Sequence, residues 1–219
     1  AHASLQDLIS KWNQIIRHEC THTDPDICIT LEPVDLPAAT MADTSTHTVI
    51  DVLMAYPNGV RKMSKDIAGL VQTSLNLGIL STIKPDDQST NGMVSFKSSV
   101  RSSIGSEKDA LLNSLKSLAT LAGGTLTVTG DYPAWEYRED SPLRDLMVKI
   151  FKQQYGKEPV IQALHAGVEC GIFASKLPGL DCVSFGPDMD DIHTTNESMN
   201  VESVRRTWEY TLEILKELK

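Results

Sequence analysis

His193 stands in a run of polar and acidic residues, DMDDIHTTNES, with Asp190, Asp191 and Glu197 close by. An imidazole among carboxylates can bind a metal ion through a ring nitrogen or move a proton near neutral pH. The same composition suits an ordinary solvated histidine in an acidic loop, so spacing has to decide. A catalytic zinc takes about three protein ligands, and a two-metal centre holds ions roughly 3.5–4 Å apart. The chain has no HExxH, and no second histidine falls within ligand spacing of His193. His193 is therefore at most one ligand of a site completed by residues elsewhere.

Two further places carry residue types suited to chemistry. In HAGVECG, His165 to Gly171, the glycines Gly167 and Gly171 let backbone approach a ligand closely. Glu169, at the start of a helix, can accept a substrate amine or orient a metal ligand, and is equally an ordinary acidic first-turn residue. Arg101, flanked by serines near the end of an alternating strand, offers a planar two-pronged donor to a carboxylate, although a solvated arginine satisfies the pattern as well. Asn76 in SLNLG is a weaker case of the same kind.

The elements that must position these residues are legible from periodicity. Leu5 to Glu19 repeats apolar residues at helical spacing, and Ile27 to Glu32 alternates as a half-buried strand ended by Pro33. Thr46 to Ala55 is a short helix stopped by Tyr56-Pro57-Asn58-Gly59. Ala68 to Ile83 and Gly92 to Ser103 alternate on either side of KPDDQSTN, which predicts an antiparallel hairpin. Ser106, Glu107 and Asp109 suit a helix N-terminus, Gly123-Gly124 its end, and TLTVT (residues 125–129) a following strand. These predict an α+β layer, one antiparallel sheet with helices on one face.

The texture changes after Gly130, where GDYPAW has turn chemistry and marks an expected domain boundary. Ser141-Pro142 starts a helix, residues 159–164 (PVIQAL) read as a strand, residues 168–177 as a helix and residues 181–185 as a second buried strand. That alternation predicts parallel strands with crossover helices, with ligands at the carboxyl ends of the strands. His165 and His193 fall at or just beyond those ends. The last helix, after an Asn200 cap, carries Val201, Val204, Trp208, Leu212, Leu215 and Leu218 as one stripe, read as core packing.

Composition narrows the classes. A chain of 219 residues with 41% hydrophobic and 22% charged residues suffices for one sizeable or two small domains with real cores. A net charge of −9 with no basic stripe excludes a phosphate-backbone partner, so nucleic acid is not expected. No apolar run approaches the roughly 18 residues of a spanning helix, and AHASLQDLIS is not a leader, which predicts a cytoplasmic protein without a membrane partner. Cys20, Cys28, Cys170 and Cys182 show no CxxC pairing and are expected as reduced thiols, a Cys20–Cys28 bridge being the lesser alternative. The opening directly on a helix, without an initiator Met, is what a piece of a longer polypeptide would show.

The residues also carry a resemblance. HAGVECGIFASKLPGLDCVSFGPDMDDIHTTNESMNVESVRRTWEY is similar to the carboxyl-terminal portion of the aminoacyl-histidine dipeptidases (peptidase D, Xaa-His dipeptidase), grouped with carnosinase and peptidase T as two-metal zinc peptidases. YPNGVRKMSKDIAGLVQTSLNLG, SFKSSVRSS and GDYPAWEY resemble the same family upstream. The resemblance implies a lid or dimerisation domain over residues 1–130, incomplete at its N-terminus, and the carboxyl-terminal part of an α/β catalytic domain over residues 131–219. It implies a parent enzyme that hydrolyses Xaa-His or related dipeptides through a metal-activated water, with two Zn2+ per active site and a homodimer formed through the lid.

By the same resemblance His193 is a metal ligand, Arg101 meets the substrate carboxylate, and His165, Gly167 and Glu169 line the substrate site. In the family the HxD metal motif, the paired glutamates and the third acidic ligand precede the lid, outside the segment that this chain resembles, and the lid's GGHSG-type histidine is not in this sequence. The chain is thus expected to hold no catalytic base and to be inactive alone. The rival expectation is a lid, dimerisation or binding module without chemistry, resting on the edges of the antiparallel sheet.

Overall fold

The computed structural model describes residues 2–37, 39–83, 92–162 and 169–219. The chain divides into two compact units, Ala1–Ser45 and Thr46–Lys219. The first unit is built on helix α1 (His2–Glu19). The predicted strand over residues 27–32 forms no ladder among the described residues. Instead the Asn13 side chain answers both polar groups of one residue. Its Nδ2 donates to the Ile29 carbonyl at 2.8 Å, and its Oδ1 accepts the Ile29 amide at 2.7 Å. A side-chain amide has the donor and acceptor of a peptide group, so one asparagine satisfies this backbone as a neighbouring strand would. Helix α2 (Asp43–Ala55) follows.

In the second unit β1 (Gly59–Met63), β2 (Val71–Ile83) and β3 (Met93–Ser102) form one antiparallel sheet in the order β1-β2-β3. The expected hairpin is β2 and β3, with Thr73 opposite Ser102 and Ile83 opposite Met93. The register slips between Leu77 and Ile79, with Gly78 as the extra residue of a bulge. Strand β1 was not apparent in the sequence, because GVRKM is too polar to read as one. It begins at Gly59, whose φ of 98° lets the chain reverse straight out of the Tyr56-Pro57-Asn58 turn.

Helix α3 (Gly105–Leu121) lies against β3 and closes a core of Leu75, Leu111 and Leu115, with Tyr56 and Val100 packed on it. Ser106 does not cap α3. The cap position is Ile104, without a side-chain bond, and Ser106 sits inside the first turn. The helix start is secured to the sheet instead. The Glu107 carboxylate accepts from Thr73 Oγ1 at 2.6 Å and Gln72 Nε2 at 2.8 Å, and pairs with Lys62. Gly123, with a φ of 72°, ends the helix as expected.

Lys108 then reaches across to Asp131 and the Tyr132 carbonyl at 2.6 and 2.7 Å, next to the boundary predicted from GDYPAW. Beyond it are α4 (Pro142–Tyr155), α5 (Glu169–Lys176) and α6 (Val201–Glu217). Ser141 caps α4 and accepts the Arg144 amide, Pro142 is the first helical residue, and Gly156 closes it in the left-handed region. Helix α6 packs on α4 through Met147, Ile150, Tyr210 and Ile214, and the buried Tyr210 hydroxyl donates to the Met147 carbonyl at 2.6 Å.

Two expectations for this half need correction. Residues 125–129, 159–162 and 181–185 form no ladder among the described residues; residues 163 and 164 of the strand predicted over 159–164 lie outside them. The apolar pattern marks a segment for burial but does not say which strand lies beside it. Val183 and Phe185 still pack toward the α4–α6 core, Phe185 edge-on to Tyr210 at 5.4 Å. The α6 stripe read as core is the exposed face: Val201 is 78% exposed and Trp208 62%. The helix is apolar on two sides, and the side carrying Ser203, Tyr210 and Ile214 is the one covered here. Helices with a three-stranded antiparallel sheet make the α+β arrangement expected of the first half.

Candidate functional site

The loop that carries His193 is closed at its base by a two-residue ladder, β4 (Met189–Asp190) with β5 (Ser198–Met199). The Asn200 amide donates to the Asp188 carbonyl at 3.0 Å, and Asn200 Oδ1 then caps α6 by accepting the Ser203 amide at 3.0 Å. Ser203 Oγ in turn accepts the Asp188 amide at 2.8 Å, and Arg206 pairs with the Asp188 carboxylate. The start of α6 therefore fixes both ends of the loop.

Inside the loop Asp191 and His193 have φ of 51° and 68°, the left-handed region that side chains rarely adopt. The His193 amide donates to Glu197 Oε2 at 2.8 Å, and Thr194 Oγ1 donates to the Asp191 carbonyl at 2.8 Å. Asp190, Asp191, His193 and Glu197 are all exposed. Among the described residues no group of three or more His, Cys, Asp and Glu gathers where it could hold a metal ion. His193 fits the part of one imidazole donor on a closed, strained loop, and the remaining donors of a metal shell are not found among the described residues.

The other sequence candidates lie on different elements. Arg101 is on β3 opposite Ser74, and it is exposed. Glu169 is the first residue of α5 and is exposed. His165 and Gly167 lie outside the described residues. Gly171 of the same motif has a clear packing role, because a Cβ there would stand 2.7 Å from the Pro133 carbonyl oxygen and 3.5 Å from Trp135 Cβ. The motif helix is thereby pressed onto the Pro133–Trp135 turn. Gly171→Ala is expected to lower stability by about 1–3 kcal/mol, since backbone rather than a flexible side chain must yield. Thermal unfolding of the two proteins checks this, and an unchanged Tm would contradict it.

Asp181 was not singled out by the sequence, yet it fastens the chain leading into the loop. Its carboxylate accepts from Ser141 Oγ at 2.7 Å and from the Leu143 amide at 2.9 Å, at the N-terminus of α4. Burial alone would raise its pKa, but these bonds together with Arg138 and Arg144 outweigh it and hold the group below the ordinary range. Burial raises the neighbouring Cys182 thiol, and the adjacent Cys170 adds to the effect. All four cysteines are free thiols. No described helix is long and apolar enough to cross a membrane.

The sequence of residues 16–217 matches the model of peptidase family M20/M25/M40. The chain belongs to this peptidase family. It is 34% identical to the cytosol non-specific dipeptidase of Escherichia coli K12 over 214 residues, which is 98% of this chain and 43% of that protein. The crystal structure of an aminoacylhistidine dipeptidase from Vibrio alginolyticus superposes with a TM-score of 0.84 at 31% identity, over 98% of this chain and 42% of that one. An aminopeptidase PepT from Bacillus cereus shares the fold, with a TM-score of 0.60 at 20% identity over 78% of this chain. The chain spans less than half the length of these peptidases.

Proposed function

We propose that the chain is the carboxyl-terminal part of a zinc-dependent dipeptidase of this family, acting on unblocked Xaa-His or related dipeptides. Residues 1–130 are read as most of a lid through which two copies pair, and residues 131–219 as the returning end of the catalytic domain. The observation that supports this best is the match to dipeptidases along 98% of the chain. In this reading His193 is one zinc ligand, Arg101 holds the substrate carboxylate, and His165, Gly167 and Glu169 line the substrate site. Zinc, when bound, supplies Lewis-acid stabilisation of the charge that develops during amide hydrolysis. The chain alone contributes one donor and no base, so activity belongs to the full-length polypeptide, in the cytoplasm.

The test is hydrolysis by that full-length polypeptide of Gly-His and of its N-acetylated form. The free dipeptide is expected to be cleaved and the blocked one spared, with activity abolished by a chelator and restored by zinc. Hydrolysis indifferent to chelation would overturn the zinc reading.

A non-catalytic pairing module is the second reading, favoured by the sheet order, which leaves β1 and β3 as edges among the described strands. A protein that dimerises but cleaves no dipeptide at full length would favour it.

A further inference from the structure

Asp191 and His193 are the two residues other than glycine with positive φ among the described residues, and both stand in the same loop. A Cβ in that region crowds the neighbouring backbone, so other contacts must hold the residue there. At Asp191 the holding groups are the amide and hydroxyl of Thr194, both donating to its carbonyl, at 3.1 and 2.8 Å. At His193 the holding contact found among the described residues comes from a side chain. Its amide donates to Glu197 Oε2 at 2.8 Å, a bond strengthened by the carboxylate's charge.

Glu197 itself is placed by its own amide, which donates to the Thr194 carbonyl at 3.3 Å, and by β5, which begins at the next residue. The carboxylate therefore arrives at the His193 amide from a fixed point on the loop's return limb. Rotation about the His193 N–Cα bond back to the ordinary negative φ would redirect Cβ and carry the imidazole away from its present heading. Such a rotation is opposed as long as the amide is held.

We propose that Glu197 is a positioning residue. It holds the His193 backbone in the left-handed conformation and so sets the direction of the imidazole, without being a metal ligand. The inference rests on the reading of His193 as a zinc ligand. An oxygen occupied by a peptide N–H four residues away, in a loop closed by β4 and β5, acts on the orientation of the donor and not on the metal.

The experiment uses the full-length polypeptide with Glu197→Ala, Glu197→Gln and His193→Ala. Zinc affinity is measured by competition with a chromogenic chelator, and amide exchange across residues 191–197 by mass spectrometry. Glu197→Ala is expected to weaken zinc binding by about 10–100-fold and to speed exchange in the loop, with kcat falling and KM little changed. Glu197→Gln keeps an acceptor oxygen and is expected to recover most of both losses.

Wild-type zinc affinity in Glu197→Ala would overturn the proposal, as would a Glu197→Gln variant as damaged as the alanine one, since that pattern marks a charge or ligand role. If Glu197→Ala fails to fold, Glu197→Asp takes its place, since a carboxylate one methylene shorter falls short of the His193 amide and is expected to show the same losses, wild-type affinity overturning the proposal. Loss of zinc in His193→Ala but not in Glu197→Ala would refute only the Glu197 role. Retention of zinc by His193→Ala would refute the ligand reading beneath it.

Discussion

Replacing His193 by alanine in the full-length polypeptide is expected to lower turnover of an Xaa-His dipeptide by about 100-fold or more. Losing even an outer-shell partner of a metal ligand costs roughly 10–100-fold, so losing the ligand itself should reach or pass the upper end. The loss should fall on kcat more than on KM. A metal ligand acts on charge that develops in the transition state, whereas the residues read as substrate contacts, Arg101 and Glu169, lie on other elements and are untouched. Steady-state kinetics on the two proteins reads this directly. An equal rise in KM with unchanged kcat would make His193 a binding residue instead.

The second large effect is expected at Glu107, and it concerns stability. Its carboxylate is held down from an ordinary 4.5 to about 2, first by the Lys62 ammonium and then by the Thr73 hydroxyl and the Gln72 amide, against the opposing effect of burial. A folded-state pKa below the unfolded one contributes stability that is fully present above about pH 4.5. That contribution is lost as the pH falls from there toward 2.

Glu107→Ala would leave the Gln72 amide, on a residue 7% exposed, without its acceptor, and Thr73, 3% exposed, with Ser102 Oγ at 2.9 Å in place of a carboxylate. The expected cost is about 3 kcal/mol near neutral pH, shrinking as the pH approaches 2. Lys62→Ala should cost less than about 1 kcal/mol, because that partner is half in solvent and easily screened. Urea unfolding of the wild type and both variants from pH 2 to 7 measures these effects. A deficit in Glu107→Ala independent of pH would mean that packing, and not the charge, secures α3 to the sheet.

Much of this architecture was legible because local chemistry fixed it. Ser141-Pro142 and Asn200 mark helix starts by hydrogen bonds made within three residues, and both form as read. The β2–β3 hairpin was visible for the same reason, since alternation on both sides of a polar loop is a property of the adjoining sequence. What failed depended on distant partners. Ser106 lost the capping role because its neighbour Glu107 was recruited by the sheet, a contact about 35 residues away in sequence. The α6 stripe was misassigned because a helix apolar on two sides does not announce which side meets α4.

The candidate site was legible to the same depth. His193 stood out by type and setting, and its family resemblance supplied a role that the acidic composition alone did not. The bond from its amide to Glu197 could not be read, although the two residues are four apart. It exists only because the loop passes through the left-handed region twice and is closed behind by β4 and β5. Asp181 escaped notice for a similar reason, as an acidic residue opening an apolar run reads as a boundary and not as a clasp on α4.

The most direct measurement is zinc content. Full-length wild-type polypeptide and its His193→Ala variant are dialysed against metal-free buffer, and bound zinc is counted per polypeptide. The variant is expected to lose about one zinc ion per site relative to wild type. Equal zinc in the two proteins would contradict the assignment of His193, and with it the reading of this loop as part of a metallopeptidase centre.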